Sequence, residues 1–397
     1  MATFRKVKIR NIAKINPHSI GRNFNHETIE YVDISSVGTG NFIEIQEMSI
    51  QNAPSRAKRL VKSGDTILST VRPNRRSFFY FKNPKENTVV STGFAVLRAI
   101  ANNDPRYLYY SVIDQSFTDY LTKNAKGSAY PAIDSNIIYD GDIFIPEKIE
   151  DQSRIASILS AYDDLIENNE KRIRALEEIA QLLYTEWFVK FKFPGHGKIK
   201  MVDSGTDYGM IPEVWEVKRL GEIADLIMGQ SPTSNHYNLN REGLPFHQGV
   251  ADFGSKYPID RVYSTAGNKY ARKDDLLFSV RAPVGRMNIA TKEIILGRGL
   301  SAIRHKNRKQ SFLFLMFNQK FTAKDMIGNG AIYKSVNKAE LENLKFVVPT
   351  KEIAEDFEAI VSLYFHDMER LTMENMILSN MRDLLIPQLV TGKRILK

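Results

Sequence analysis

The spacing of apolar and polar positions changes along this chain in the same order twice. Short β-type runs come first: YVDISSV, DTILSTV, RSFFYF and TVVSTGFAVLRA within residues 31–99, then DDLLFSV, RMNIA and EIILG within 274–297. Gly, Pro and Asn bound these runs, which predicts strands separated by turns. A more helical stretch follows in each half, YLYYSVIDQSFTDYLTK (107–123) and FLFLMFNQKFTAKDM (312–326). A glycine loop and a last strand ending in Ile-Pro or Val-Pro close the unit. A short amphipathic helix is expected to open it, at KIRNIAKI (8–15) and RLGEIADL (219–226).

The recurrence extends to residue identities. GDTILSTVRP and KDDLLFSVRAP match at an offset of 209, with Asp65, Val71 and Arg72 facing Asp274, Val280 and Arg281. TGFAVLR (92–98) matches RGLSAIR (298–304), GSAYPAI (127–133) matches GAIYKSV (330–336), and IFIPEKI (143–149) faces FVVPTKE (346–352). Order is kept while the offset drifts at each loop, as in a duplicated domain whose loops have diverged.

Each half is followed by a different pattern. After Pro146, residues Ile155, Leu159, Tyr162, Ile166, Asn169, Ile173, Leu176, Ala180, Leu183 and Trp187 fall at alternating steps of four and three, a heptad seam free of Pro and Gly. A second, looser seam runs through Phe357, Ile360, Tyr364, Leu371, Leu378, Met381 and Leu385. The expected fold class is α/β in the mixed, α+β sense: two repeated domains and two long helices paired as an antiparallel coiled coil with a pseudo-two-fold. At about 1.5 Å per residue, such a pair makes a rod roughly 50 Å long. The expected boundaries are 1–148 and 211–350 for the domains, 149–192 and 351–397 for the helices with the C-terminal tail, and 193–210 for a linker. Asn169 inside the seam reads as a residue that fixes coiled-coil register.

Charge sharpens this picture. Of the net +9, residues 1–150 hold 20 Lys and Arg against 15 Asp and Glu, and residues 201–350 hold 21 against 15. The excess therefore sits in the two similar halves, as in a protein that grips a polyanion at two places; a solubility role is the bland alternative. The longest purely apolar run, FLFLMF at 312–317, is far below the roughly 20 residues of a membrane span. Without cysteine there are no disulfides or thiolate sites, so a cytoplasmic protein without membrane contact is expected.

No catalytic apparatus is legible. VGTGN (37–41) is the closest match to a cofactor-binding glycine turn and NPKE (83–86) to a base-flipping methyltransferase loop, and neither suffices. TGKR (391–394) is not a phosphate loop. The histidines lack metal-ligand spacing. Asp65 and Asp274 stand at strand starts, where turn chemistry explains them.

Two diverged α/β halves, each followed by a long helix, with IPEVWEVKRLGEIADLIMGQSP opening the second half and LLIPQLVTGKRI closing the chain, resemble the specificity subunit of a type I restriction-modification system. The resemblance covers essentially the whole chain. It implies two target recognition domains, each reading one part of a bipartite site in double-stranded DNA, and helices that space the domains and dock two modification (methyltransferase) subunits. S-adenosylmethionine, ATP and magnesium would be used by those partners and by the restriction (motor and nuclease) subunits, with no cofactor held by this chain.

Candidate DNA contacts lie in loops beside the repeated strands. Arg72, Arg75 and Arg76 follow DTILSTV, and Arg281 and Arg286 follow DDLLFSV; arginine at a strand end reaches phosphates or pairs with guanine. Intradomain salt bridges are the competing reading. The glycine loops place Lys123, Lys126, Ser128 and Tyr130 in one half, and Asn329, Tyr333 and Lys334 in the other, where the backbone approaches a phosphate closely. Gln230, Ser231 and Arg241 in GQSPTSNHYNLNREG are further candidates. A bipartite RNA-binding protein, with RSFFYF offering stacking aromatics, and a coiled-coil protein scaffold remain the alternatives.

Overall fold

The computed structural model describes residues 3–21, 24–42, 44–322 and 335–394, and the chain divides into two compact units: 1–168 with 375–397, and 169–374. The first unit runs through β1 (Phe4–Lys8), β2 (Ala13–Ile15), β3 (Thr28–Val32), β4 (Gln46–Ser49), β5 (Ala57–Leu60), β6 (Thr66–Ser69), β7 (Phe78–Tyr80), β8 (Thr88–Ser91) and β9 (Phe94–Ala99). Helices α1 (Pro105–Ile113), α2 (Gln115–Lys123) and α3 (Ser135–Asp140) precede β10 (Asp142–Pro146) and the long helix α4 (Ile149–Tyr184). One sheet has the order β2-β9-β6-β7 and another β4-β3-β8-β5, with β3 and β8 parallel; β10 returns to pair with β1.

The second unit repeats this plan. It contains β11 (Met201–Asp203), β12 (Met210–Pro212), β13 (Glu216–Arg219), the one-turn helix α5 (Leu220–Ile223), β14 (Ala224–Met228), β15 (Tyr237–Asn238), β16 (Leu244–His247), β17 (Tyr263–Ser264), β18 (Tyr270–Ala271), β19 (Leu276–Ser279), β20 (Met287–Ile289), β21 (Ile294–Leu296) and β22 (Leu300–His305). Helices α6 (Gln310–Thr322) and α7 (Lys338–Glu342), strand β23 (Lys345–Val348) and helix α8 (Lys351–Val390) complete it. The order β14-β22-β19-β20 mirrors the first sheet, parallel β16 and β21 mirror β3 and β8, and β23 pairs with β13 as β10 does with β1. The duplicated sequence is thus a duplicated topology of the mixed α/β class.

Four strands are buried on both faces: every residue of β6, β8, β19 and β21 is buried, terminal Ser and Thr included. The stretch 107–123 breaks into two helices at Asp114, which caps α2 by accepting from Ser116 N. The expected amphipathic opening helix is replaced by strand, tight turn and strand, since only Ile9–Asn11 and Leu220–Ile223 are helical. Ile9, Ile12, Ala13 and Ile15 are buried, as are Leu220, Ile223, Ala224 and Leu226. One tight turn between two strands satisfies this spacing as well as a helix does.

One buried ion pair occurs in both units with the same geometry. Arg98 of β9 donates through Nε (2.7 Å) and Nη2 (2.6 Å) to the two carboxylate oxygens of Asp65, just ahead of β6. Arg304 of β22 makes the same bonds, 2.7 and 2.6 Å, to Asp275 just ahead of β19. Each carboxylate also accepts a backbone N–H three residues upstream, Lys62 or Arg272, at 2.7 Å. Asp65 and Asp275 are therefore equivalent, and the offset in these strands is 210 rather than 209. The Asp274–Asp275 doublet and the repeated apolar steps let the sequence align either way; the ion pair decides it. Arg281 consequently stands opposite Val71, not Arg72.

Each unit takes one end of each long helix. In the first, Ile155, Ala156 and Leu159 of α4 share a core with Ile386, Leu389 and Val390 of α8. Arg382 lies 14% exposed against Asp163, and Lys82 ties the domain to Asp164 at 2.6 Å. In the second, Ala180, Tyr184 and Trp187 pack with Phe357, Val361, Phe365 and Met368, and Lys256 reaches Glu177 at 2.7 Å. Asn169 is 1% exposed. The seam of α8 differs from the expected one: Ile360 and Met381 are exposed, and Val361, Phe365 and Met368 are buried instead. Paired apolar residues at 360–361 and 364–365 leave the frame open, and contact with the domain, such as Phe314 on Phe365, selects it. Phe193, placed by sequence in a linker, is buried beside Trp215 at a ring separation of 4.9 Å.

Two predictions follow from these buried charges. Removing one partner of a buried pair costs about 3–5 kcal/mol, so Asp65→Ala and Asp275→Ala should each lower the denaturation midpoint strongly, whereas Asp274→Ala should do so far less. Equal effects of Asp274→Ala and Asp275→Ala would contradict the assigned register.

His305 provides a pH test. Burial, reinforced by Lys309, pushes its imidazole down to about 4, and its Nδ1 accepts the N–H of Asn307 at 3.0 Å. The unfolded chain takes up this proton below about 6.5 and the folded one only near 4, so stability falls as pH drops through that window. The loss should reach about 3 kcal/mol. His305→Asn, which keeps an acceptor without titrating, should flatten that part of a melting curve series between pH 7.5 and 4.5.

Candidate nucleic-acid interface

The central strand of each repeat is clamped at its start and exposes charge beyond its end. Ser69 Oγ donates to Val71 O at 2.8 Å and Ser279 Oγ to Pro283 O at 2.7 Å, so a serine shapes the exit turn in both units. Thr70 N then bonds Gly93 O at 2.8 Å and Val280 N bonds Gly299 O at 2.9 Å, which sets each exit against the turn where the chain crosses from one sheet to the other, between β8 and β9 or between β21 and β22. The residues after the glycine loop return to the same place: Ile133 N donates to Thr70 O and Val336 N to Val280 O, both at 2.9 Å. Three segments far apart in sequence therefore converge beside the candidate arginines.

In the first unit this convergence joins two of the predicted sets. Arg72 and Arg76 adopt left-handed conformations, φ 49° and 56°, on either side of the turn Pro73–Arg75. For non-glycine residues such a conformation needs support from its surroundings. Arg72 finds it in the glycine loop: its N–H donates to Pro131 O at 2.7 Å, its Nη2 donates to Ala129 O at 3.1 Å, and its guanidinium lies 4.3 Å from the Tyr130 ring centroid. Tyr130 is nonetheless 69% exposed. Gly127, at φ +101°, permits the loop; a Cβ there would stand 3.0 Å from Tyr130 O. Lys126 exchanges both backbone hydrogen bonds with Ala132 at 2.9 Å, leaving its side chain exposed next to exposed Ser128. Lys123 ends α2 on the surface.

The neighbouring arginines differ. Arg75 is exposed, and its guanidinium makes no hydrogen bond or ion pair with the described residues. Arg76 donates from Nη2 to Ile113 O at 2.8 Å and from Nη1 to Gln115, tying the strand exit to the end of α1.

The second unit is built differently at the same place. Arg281 is exposed and pairs through its backbone with Ser335, while exposed Arg286 donates its N–H to Ser279 Oγ at 2.8 Å. Gln230 is exposed, with its N–H on Leu296 O at 2.9 Å. Ser231 Oγ accepts the N–H of Arg298 at 3.2 Å. Arg241, exposed at φ 65°, sits in the turn between β15 and β16 without a bond to the other candidates. Asn329, Tyr333 and Lys334 lie outside the described residues.

Two exposed cations at these turns were not singled out from sequence: Arg56, whose carbonyl accepts from Thr92 N at 2.8 Å, and Arg298, which stands where the first copy has Thr92. The mismatch inside the otherwise matching TGFAVLR and RGLSAIR was the signal available for Arg298. Among the described residues no group of three His, Asp or Glu could hold a metal ion, and no helix is long and apolar enough to cross a membrane.

The chain matches the type I restriction modification DNA specificity domain family over residues 1–205 and again over 212–369, and it belongs to that family. It is 32% identical over 372 residues to a Methanocaldococcus jannaschii protein named as the MjaX type I restriction enzyme specificity subunit, covering 89% of this chain and 84% of that one. With the HindI specificity subunit of Haemophilus influenzae it shares 23% identity over 99% of this chain and all of that one. The crystal structure of a type I restriction-modification S subunit from M. genitalium shares the fold at a TM-score of 0.60, with 14% identity over 100% of this chain and 97% of that one.

The contrast between adjacent arginines is testable. Arg75→Ala should weaken duplex binding about equally for all sequences and lower the slope of log affinity against log salt by about one, with an unchanged melting temperature. Arg76→Ala should lower the melting temperature, because it removes two bonds within the fold. A salt slope unchanged by Arg75→Ala would remove Arg75 from the interface.

Proposed function

We propose that this chain is the DNA-reading, non-catalytic subunit of a type I restriction-modification complex, with each repeat recognising one part of a bipartite site in double-stranded DNA. The observation that carries this reading is the scaffold built twice in one chain, with family membership spanning both copies. Arg72, Arg75, Lys123, Lys126, Ser128 and Tyr130 serve the first half-site. Gln230, Arg241, Arg281 and Arg286 serve the second, together with Asn329, Tyr333 and Lys334 of its glycine loop. Arg76 belongs to the same basic surface and supports it from within the fold.

Two modification subunits dock on the long helices and supply S-adenosylmethionine-dependent methyl transfer; restriction subunits add ATP- and magnesium-dependent translocation and cleavage in the cytoplasm. The helices form an antiparallel coiled coil that sets the spacing of the half-sites, with Asn169 fixing its register. In support, the first unit packs the start of α4 against the end of α8, and the second packs the end of α4 against the start of α8.

An insertion tests both the reading and the ruler. Four extra helical residues near Glu170 add roughly 6 Å, and B-DNA advances about 3.4 Å per base pair. Methylome sequencing of cells carrying the insertion should therefore show a gap longer by about one or two base pairs between unchanged half-sites. An unchanged gap at full activity would remove the spacer role, and a methylated motif without two parts would overturn the bipartite reading.

A further inference from the structure

The second unit carries a feature that the repeat does not predict. Three glycine-bearing segments are pressed together backbone to backbone, and each presents a long polar side chain at the contact. A Cβ on Gly229 would lie 2.1 Å from Gly297 O, one on Gly297 would lie 2.6 Å from Gln248 Cα, and one on Gly299 would lie 2.5 Å from Gln248 O. No side chain fits at any of the three, so the segments are held at a separation that only glycine permits. Hydrogen bonds fix the arrangement: Gln230 N to Leu296 O (2.9 Å), Gly297 N to His247 O (2.8 Å) and Gly299 N to Gln248 O (3.1 Å). Beneath Gln248, fully buried His247 holds Asp260 through Nε2 at 2.9 Å, and Asp260 also takes Lys292 at 2.5 Å.

The side chains that emerge from this rigid knot are Gln230, Gln248 and Arg298, all exposed. None makes a side-chain hydrogen bond or ion pair with the described residues, so their donors and acceptors are open to a ligand. Val280 N bonds Gly299 O, which places exposed Arg281 beside the same turn. We propose that Gln230, Gln248 and Arg298 are the base-reading residues of the second domain, with Arg281 holding the adjacent phosphate backbone. The assignment rests on the DNA-reading function proposed above. Glutamine brings no charge to a phosphate, but each presents the donor–acceptor pair that matches adenine N6 and N7, and arginine matches guanine O6 and N7. Mounting on backbone-to-backbone contacts gives these side chains the fixed origins that sequence discrimination needs. By the strand register the first unit has Ser19, Asp33 and Thr92 at the corresponding positions. Asp33 there is already engaged by Tyr31 and Ser35. The two domains therefore read different bases by different means.

The test is methylome sequencing in cells that express the full chain with its methyltransferase partner. Gln230→Ala, Gln248→Ala, Arg298→Ala and Arg298→Lys should each relax one position of a single half-site, losing roughly 5- to 150-fold discrimination there. The other half-site should be unchanged, and Arg298→Lys should relax the motif although its charge is kept. Both half-sites staying intact in all four variants would overturn the assignment alone, as would a uniform fall in methylation without change of motif, which marks phosphate contacts. A wild-type chain that directs no bipartite motif would overturn the DNA-reading function itself, and this assignment with it.

Discussion

The bidentate pair of an aspartate ahead of the central strand with an arginine on its neighbour is the constraint on which both repeats depend. Asp65 and Asp275 are 0% and 1% exposed, so neither carboxylate keeps solvent to offset the loss of its partner. Two arginine donors and one backbone N–H satisfy each, which is the condition under which a buried charge is tolerated. The pair joins the turn that starts β6 or β19 to the middle of the sheet. In doing so it fixes where the strand begins and, four residues later, where it ends. The exit turns that carry Arg72 and Arg281 are placed relative to that end.

A second set of charges seats each domain on its helices. Lys82 meets Asp164 and Glu167 in the first unit; in the second, Lys256 meets Glu177 and Lys273 meets Glu369. Lys256 is the most buried of these, lying 5.0 and 5.3 Å from the rings of Phe365 and Phe314. Burial pulls its ammonium below the usual lysine range, and Glu177 only partly offsets this. Such a contact is costly unless both partners stay in place, so it favours one seating of the domain over its alternatives. The helix carries charge here where a seam alone would have allowed sliding.

Much of this was legible in sequence. The duplication, the order of elements, the two long helices and the basic excess of both halves follow from period, offset and charge. The misread parts share a cause: patterns with two equivalent solutions. DTILSTV and DDLLFSV align at offsets of 209 and 210 almost equally well, and only the partner of Asp275, 29 residues away, distinguishes them. Ile360–Val361 and Tyr364–Phe365 offer two seams, and the second domain chooses between them through Phe314. The tight openings at 9–11 and 220–223 imitate a helix because a turn between two strands can also bury four apolar residues out of eight. Gln248 carried no sequence signal at all, since its position depends on glycines 19 residues before and 49 and 51 residues after it.

The loops beyond the shared strand show how duplication and divergence divide the structure. In the first unit a strained backbone at Arg72 is stabilised by a clasp: the guanidinium rests on Tyr130 and bonds the loop carbonyls. In the second no arginine stands at that register position, and glycines at 229, 297 and 299 bring three backbones together instead. The first device presents an aromatic ring with flanking cations, the second a fork of amides and an arginine. Either can change without disturbing the Asp–Arg pair, because the pair lies at the opposite end of the strand. The part of each repeat that fixes the strand is thus separate from the part that differs between the repeats.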